Sequence, residues 1–141
     1  MKHIHIVNGP NLNLLGVREP SIYGSVSFEV YLQGLQEKYS DGLLHYFQTN
    51  HEGTILDFLH LHGFAADTGI ILNAGGYTHS SIAIRDAIEA IEVPVIEVHI
   101  SNIYDREDFR RINYLRDKCK ASFVGEGLDG YQMAIDYLVN L

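Results

Sequence analysis

The chain has 141 residues, with 18 acidic against 10 basic side chains and a formal net charge of −8, so nothing draws it to nucleic acid or to an anionic membrane, and any anionic ligand must be held by local arginines. Hydrophobic residues at 46% and charged residues at 20% are ordinary for a globular protein, and a single cysteine, Cys119, rules out an internal disulfide and suits a reducing compartment. Without an apolar run of signal-peptide or membrane-spanning length, the expectation is one cytoplasmic domain over residues 1–141.

The first predicted strand is His3–Val7, followed by the stretch NGPNLNLLGVREPSIYGS at 8–25. A connection from strand to helix in an α/β unit usually takes only a few residues. This one is long, is broken by glycines and prolines, and carries Asn11, Arg18 and Tyr23; it reads as an active-site lid or as an ordinary surface loop. A helix over 28–39 follows from the spacing of Phe28, Leu32, Leu35 and Tyr39. Strand two, Leu43–Thr49, leads to a helix over 52–62, with Gly63 as its C′ glycine. Strand three, Gly69–Leu72, leads through NAGGYTHSS to a helix over 80–91, where Ile84, Ala87, Ile88 and Ile91 mark a packed face. Strand four, Val93–Val98, precedes a short helical piece near 107–118; strand five, Ala121–Val124, precedes a last helix over 129–139. Five such units predict an α/β, flavodoxin-like, doubly wound five-stranded parallel sheet with helices on both faces.

In open α/β sheets, ligands bind outside the carboxyl ends of the strands. Those ends here carry Asn8 and the long loop, then Asn50, His51 and Glu52, then Asn73 and AGGYTHSS, then His99, Ser101 and Asn102 with Arg106 and Arg110 beyond, and finally GEGLDG. Such a concentration of polar groups favours a site over a scaffold. Gly75 and Gly76 stand before a helix start, where free backbone N–H groups bind anions or hydroxyls; a plain loop with Thr78 or Ser80 as N-cap fits as well. His99 closes a strand, and Glu97, two residues earlier, shares its side and can orient the imidazole. His3, His5, His45, His60 and His62 read as structural or surface residues. Arg106 and Arg110, four apart, are neighbours if helical, either in a site or on a solvated cationic face.

The motifs NGPNLNLLGVREPSIYG, HEGTILDF, NAGGYTHSSIAIRDA and EVHISNIYDREDFR, with GLDGY near the end, resemble type II 3-dehydroquinate dehydratase in order and spacing over nearly the whole chain. The resemblance implies a flavodoxin-like fold and an anti elimination of water from 3-dehydroquinate, giving 3-dehydroshikimate without cofactor or metal. It also implies the shikimate pathway and a homo-dodecamer made of four trimers. By the same resemblance, Tyr23 would be the base, Arg18 would keep it ionised, and Asn11 would support the enolate. His99 would be the acid with Glu97 behind it. Asn73, His79, Asp86, Ile100, Ser101 and Arg110 would bind substrate, with Asp86 reaching into a neighbouring subunit and Arg106 close to the lid. The segment FRRIN departs from the family's FRHxS, so the resemblance assigns no role to Arg111 or Asn113.

Three rival classes remain open to test. A phospho-acceptor module needs clustered carboxylates after strand one, where asparagines stand. A metal-dependent hydrolase would use His51, Glu52, His79 and His99, with no ligand spacing to support it. A non-enzymatic scaffold would show no turnover. The four lysines, Lys2, Lys38, Lys118 and Lys120, all lie away from the strand ends, which predicts an enolate route and no Schiff base.

Overall fold

The structure, a computed structural model, describes residues 1–17, 19–23 and 25–141, without the side chains of Ile22 and Tyr23. Its strands are β1 (His3–Asn8), β2 (Leu44–Gln48), β3 (Thr68–Asn73), β4 (Val95–His99) and β5 (Ala121–Val124). Its helices are α1 (Pro20–Tyr23), α2 (Phe28–Lys38), α3 (Glu52–His62), α4 (Ile82–Ala90) and α5 (Asp129–Val139). All four strand pairings are parallel, in the order β2-β1-β3-β4-β5. This is the flavodoxin-like order, with its switch point between β1 and β3.

Two cores flank the sheet. On one face Ile4, Ile6, Ile71, Ile96 and Val98 pack with Phe28 and Leu35 of α2 and Ala134 and Ile135 of α5. On the other, Val7, Ile70, Leu72 and Val95 pack with Ile55 and Leu59 of α3 and Ile84 and Ile88 of α4. The period of two along each strand divides its side chains between these faces. Every residue of β3 and β4 is buried, which explains their nearly continuous apolar sequence.

Several boundaries differ from the sequence expectation. His99 is the last residue of β4 and does not lie beyond it. Residues 75–79 form a 3-10 turn, and the N-cap of α4 is Ser81, whose Oγ accepts from Ile84 N–H at 2.9 Å, in place of Thr78 or Ser80. Gly63 is not a left-handed C′ residue: its φ is −72°. A Cβ there would lie 2.4 Å from the Leu59 carbonyl and from Ile91, so close packing at the end of α3 is what requires glycine.

The helical piece expected near 107–118 is absent as such. Three short 3-10 turns, Ile103–Asp105, Asp108–Arg111 and Arg116–Lys118, carry the chain from β4 to β5. Asparagine side chains compete with helical hydrogen bonding here. Asn102 Oδ1 accepts from Tyr104 N–H, and Asn113 Oδ1 accepts from Leu115 and Arg116 N–H. The long loop after β1 is partly a core element, because Leu12 and Leu15 are buried against the α2 face.

Tyr131 reaches from α5 to the ends of the two central strands. Its hydroxyl donates to Asn8 Oδ1 at 2.7 Å and accepts from Asn73 Nδ2 at 2.9 Å. Burial, above all, pushes this phenol far above its ordinary value, so it stays a donor.

Candidate active site

A cleft opens where β1, β3 and β4 end, at the switch point the topology creates. The β1 end supplies Pro10, Asn11 and Leu12; the β3 end supplies Asn73, Gly75, Gly76 and His79. From β4 and its sequel come His99, Ile100, Ser101, Ile103, Arg106 and Arg110. The β1 and β3 ends approach closely, with Gly9 N–H bonded to the Asn73 carbonyl at 2.7 Å. Gly75 adopts φ +58° beside Pro10, a conformation that side chains rarely take.

The sequence-predicted residues Asn11, Asn73, Gly75, Gly76, His79, His99, Ile100, Ser101, Arg106 and Arg110 therefore share one cleft. Asp86 does not line it: it lies exposed on α4. Arg18 and the Tyr23 side chain lie outside the described residues. Among the described lining residues, none comes from the ends of β2 or β5. Asn50 instead braces the cleft wall, its Oδ1 accepting from Asn11 N–H at 3.1 Å and its carbonyl from Tyr77 Oη at 2.9 Å. Among the described residues, His79 and His99 line the cleft and His51 and Glu52 do not.

His99 and Glu97 form the buried heart of the site, at 4% and 1% exposure. His99 Nε2 lies 2.7 Å from Glu97 Oε2. The same oxygen accepts from Asn113 Nδ2 at 2.7 Å, and Ser122 Oγ donates to Oε1 at 2.7 Å. Ser122 arrives by register, directly opposite Glu97 on β5. Burial pushes the Glu97 pKa up, but the bond and charge of His99 and the bonds from Ser122 and Asn113 outweigh it and hold the carboxyl below its usual range. Sequence reasoning paired Glu97 with His99 and missed Asn113 and Ser122. The only signal for Ser122 was its place one strand over.

His79 Nδ1 donates to the Ile112 carbonyl at 2.7 Å, since a carbonyl only accepts. That fixes Nε2 as the acceptor of the neutral ring. Burial, assisted by the charges of His99 and Arg110 and opposed by the Ile112 bond, lowers the His79 pKa. Arg110 Nε donates to Glu107 at 2.5 Å, and Arg106 lies 3.7 Å from Glu19 and 4.0 Å from Glu107. These pairs aim two guanidiniums at the cleft of an acidic protein, and one of them ties the β4 sequel to the long loop. Such an arrangement can hold a small anion, deliver a proton from an imidazole and stabilise developing negative charge.

A family model described as "Dehydroquinase class II" matches residues 2–139. The chain belongs to the class II dehydroquinase family. A 3-dehydroquinate dehydratase of Caldicellulosiruptor bescii is 47% identical over 137 residues, covering 96% of this chain and 94% of that one. Catabolic 3-dehydroquinase 1 of Fusarium vanettenii is 48% identical over 137 residues, covering 95% and 94%. The crystal structure of a type II dehydroquinase from Butyrivibrio crossotus superposes with a TM-score of 0.91 at 42% identity, covering 97% of each chain. No helix among the described residues is long and apolar enough to cross a membrane.

Proposed function

We propose that residues 1–141 act as one catalytic domain that removes water from 3-dehydroquinate through an enolate, with Tyr23 as base and His99 as acid. That the chain is an enzyme, a hydro-lyase of the type II 3-dehydroquinate dehydratase kind, follows from its family and its relatives. The observation that carries the finer reading is the buried His99–Glu97 pair at the cleft.

Tyr23 takes a proton from the carbon beside the ketone, the electrons move onto the ketone oxygen, and Asn11 supports the enolate. Collapse of the enolate expels the hydroxyl, which leaves as water after taking a proton from His99, and a conjugated enone remains. Arg18 holds Tyr23 ionised, because a phenol near its reference pKa of about 10 would be a base in only about one molecule in a thousand at pH 7. Asn73, Gly75, Gly76, His79, Ile100, Ser101 and Arg110 bind the substrate, with Arg106 near the long loop. Asp86 completes the site from a neighbouring subunit, within a dodecamer of four trimers whose mass is near twelve times 15.9 kDa. Among the described residues no lysine lines the cleft, which supports the enolate over an imine. The product feeds the shikimate pathway in the cytoplasm.

The experiment follows the ultraviolet absorbance of the conjugated enone when wild type, Tyr23→Phe and Arg18→Ala meet 3-dehydroquinate. Tyr23→Phe is expected to abolish turnover while substrate still binds. Arg18→Ala is expected to recover part of its lost rate as alkalinity ionises the phenol. A Tyr23→Phe enzyme with normal turnover places the base elsewhere. Full activity after exhaustive chelation, and after borohydride treatment with substrate present, is expected as well.

A further inference from the structure

One carboxylate at the site receives three donors, and one of them comes from a residue where the sequence departs from the family pattern. The amide of Asn113 has only one orientation compatible with its neighbours. Leu115 N–H and Arg116 N–H, both donors, lie 2.9 and 3.1 Å from one of its terminal atoms, which must therefore be the oxygen. The other terminal atom is the nitrogen, and it donates to Glu97 Oε2 at 2.7 Å. Ser122 Oγ occupies the second carboxylate oxygen at 2.7 Å. Glu97 is thus surrounded by groups that have hydrogens to give, an environment that favours the ionised, accept-only form.

We propose that Asn113 is a positioning residue for the acid: its amide keeps Glu97 a pure acceptor, which puts a proton on His99 Nε2 and leaves Nδ1 as the nitrogen that carries the transferable proton into the cleft. This rests on the reading of His99 as the acid. It settles which ring nitrogen works, because Nε2 lies 2.7 Å from Glu97 and is committed there. The backbone bonds to Asn113 Oδ1 make the device rigid, since the amide cannot turn over without facing two N–H groups with an NH₂. Among the described residues, the charged and titratable groups around the pair are His79 after β3, Arg106, Arg110 and Arg116 on the segment between β4 and β5, and Cys119 before β5.

The test is Asn113→Asp, nearly isosteric, whose carboxylate still accepts from Leu115 and Arg116 N–H but has no hydrogen for Glu97. Its fold is checked by circular dichroism. Losing a hydrogen bond to a charged group predicts a fall in kcat of about ten- to a hundredfold near neutral pH. KM should stay within about twofold of wild type, because Asn113 lines no part of the cleft. The ratio of variant to wild-type kcat should rise as pH falls, when a proton shared between the two carboxyls replaces the missing N–H. In parallel, ¹⁵N NMR of the neutral His99 ring should show the hydrogen on Nε2 and the lone pair on Nδ1 in wild type, with that distinction lost in Asn113→Asp. An unchanged kcat, a flat ratio across pH, or a ring spectrum identical to wild type each overturns the proposal. The NMR arm needs no turnover. If wild type fails to dehydrate the substrate yet the tautomer shifts in the variant, the functional reading fails and the lock stands.

Discussion

The protein holds two groups of histidines on the same face of its sheet, and they are built on opposite plans. His99 sits at the cleft with one carboxylate against its ring and two further donors anchoring that carboxylate. At the other end of the strands, His5 stacks on His45 at 4.9 Å between ring centroids and lies tilted against His62 at 4.1 Å, and His3 Nδ1 lies 3.0 Å from His45 Nε2. There burial first, then the charges of His62, His45 and His3, lowers the His5 pKa from 6.5 to about 4. The same imidazole is thus presented with a fixed counter-charge in one place and kept neutral in the other. The residue type does not decide the chemistry; the neighbours within hydrogen-bonding reach do.

Removing the counter-charge should collapse the distinction with the largest effect. Glu97→Gln is expected to lower kcat about 10²–10⁴-fold, the range for loss of a well-placed general acid, while the rest of the cleft still binds substrate; steady-state kinetics decides it. A change that leaves kcat within threefold of wild type would show that His99 works without its carboxylate. Ser122→Ala removes one donor to a charged group and should cost about 1–3 kcal/mol of stability in urea unfolding. Because it lessens the downward shift of Glu97, its acid loss should begin at higher pH than in wild type.

The His5 group predicts a smaller effect in a different window. A histidine whose folded pKa is depressed adds stability above its unfolded value of 6.5 and loses it as pH falls toward about 4. Glu97, held below 4.5, withdraws its own contribution only below that value. Wild type should therefore lose stability on acidification in two stages, the first worth about 1–2 kcal/mol once solvent screening of the partly exposed cluster is allowed for. His5→Phe, with Phe58 already edge-on to the ring at 5.4 Å, should remove the first stage and keep the second, as urea titrations at pH 7.5, 5.5 and 4 (roughly the ends and middle of that window) would reveal. The smallest change is expected from His3→Gln, an exposed member of the group, which should shift stability by only a few tenths of a kcal/mol at any of these pH values.

How much of this could be read beforehand depends on how locally each feature is encoded. The strands were legible because β3 and β4 are buried on both faces and read as apolar runs. Glu97 and His99 were legible because two residues apart on a strand means one side. Asn113 and Ser122 were not, because they meet Glu97 from 16 and 25 residues away. The helix expected near 107–118 is interrupted where Asn113 offers its side-chain oxygen to the N–H groups of Leu115 and Arg116 and so stabilises a turn. Arg106 and Arg110 still reach the cleft, although the helical spacing that seemed to join them is absent. The histidines at 3, 5, 45 and 62 do not line the cleft, and their mutual ring contacts could not be read without the β1–β2 register, which sets His5 against His45.

Tyr131 carries a consequence for how this sequence can change over time. Its hydroxyl joins Asn8 and Asn73, two positions 123 and 58 residues away in the chain. Phenylalanine at 131 would strand two buried amides, each at 3% exposure or less, at a cost of about 1–3 kcal/mol for each unsatisfied group. Leucine at 8 would leave the buried phenol without its acceptor, and leucine at 73 would leave it without its donor. Each single step is uphill, and even an exchange of all three for apolar residues would spare only the bonds among them, since Asn8 also donates to Tyr46 Oη and Asn73 Oδ1 also accepts from Gly75 N–H. Positions 8, 73 and 131 should therefore drift together or not at all. A double-mutant cycle on Tyr131→Phe and Asn8→Leu should return a coupling energy of about 0.5–3 kcal/mol, the range for residues in one hydrogen-bond network. Strict additivity would free helix α5 to evolve independently of the cleft floor.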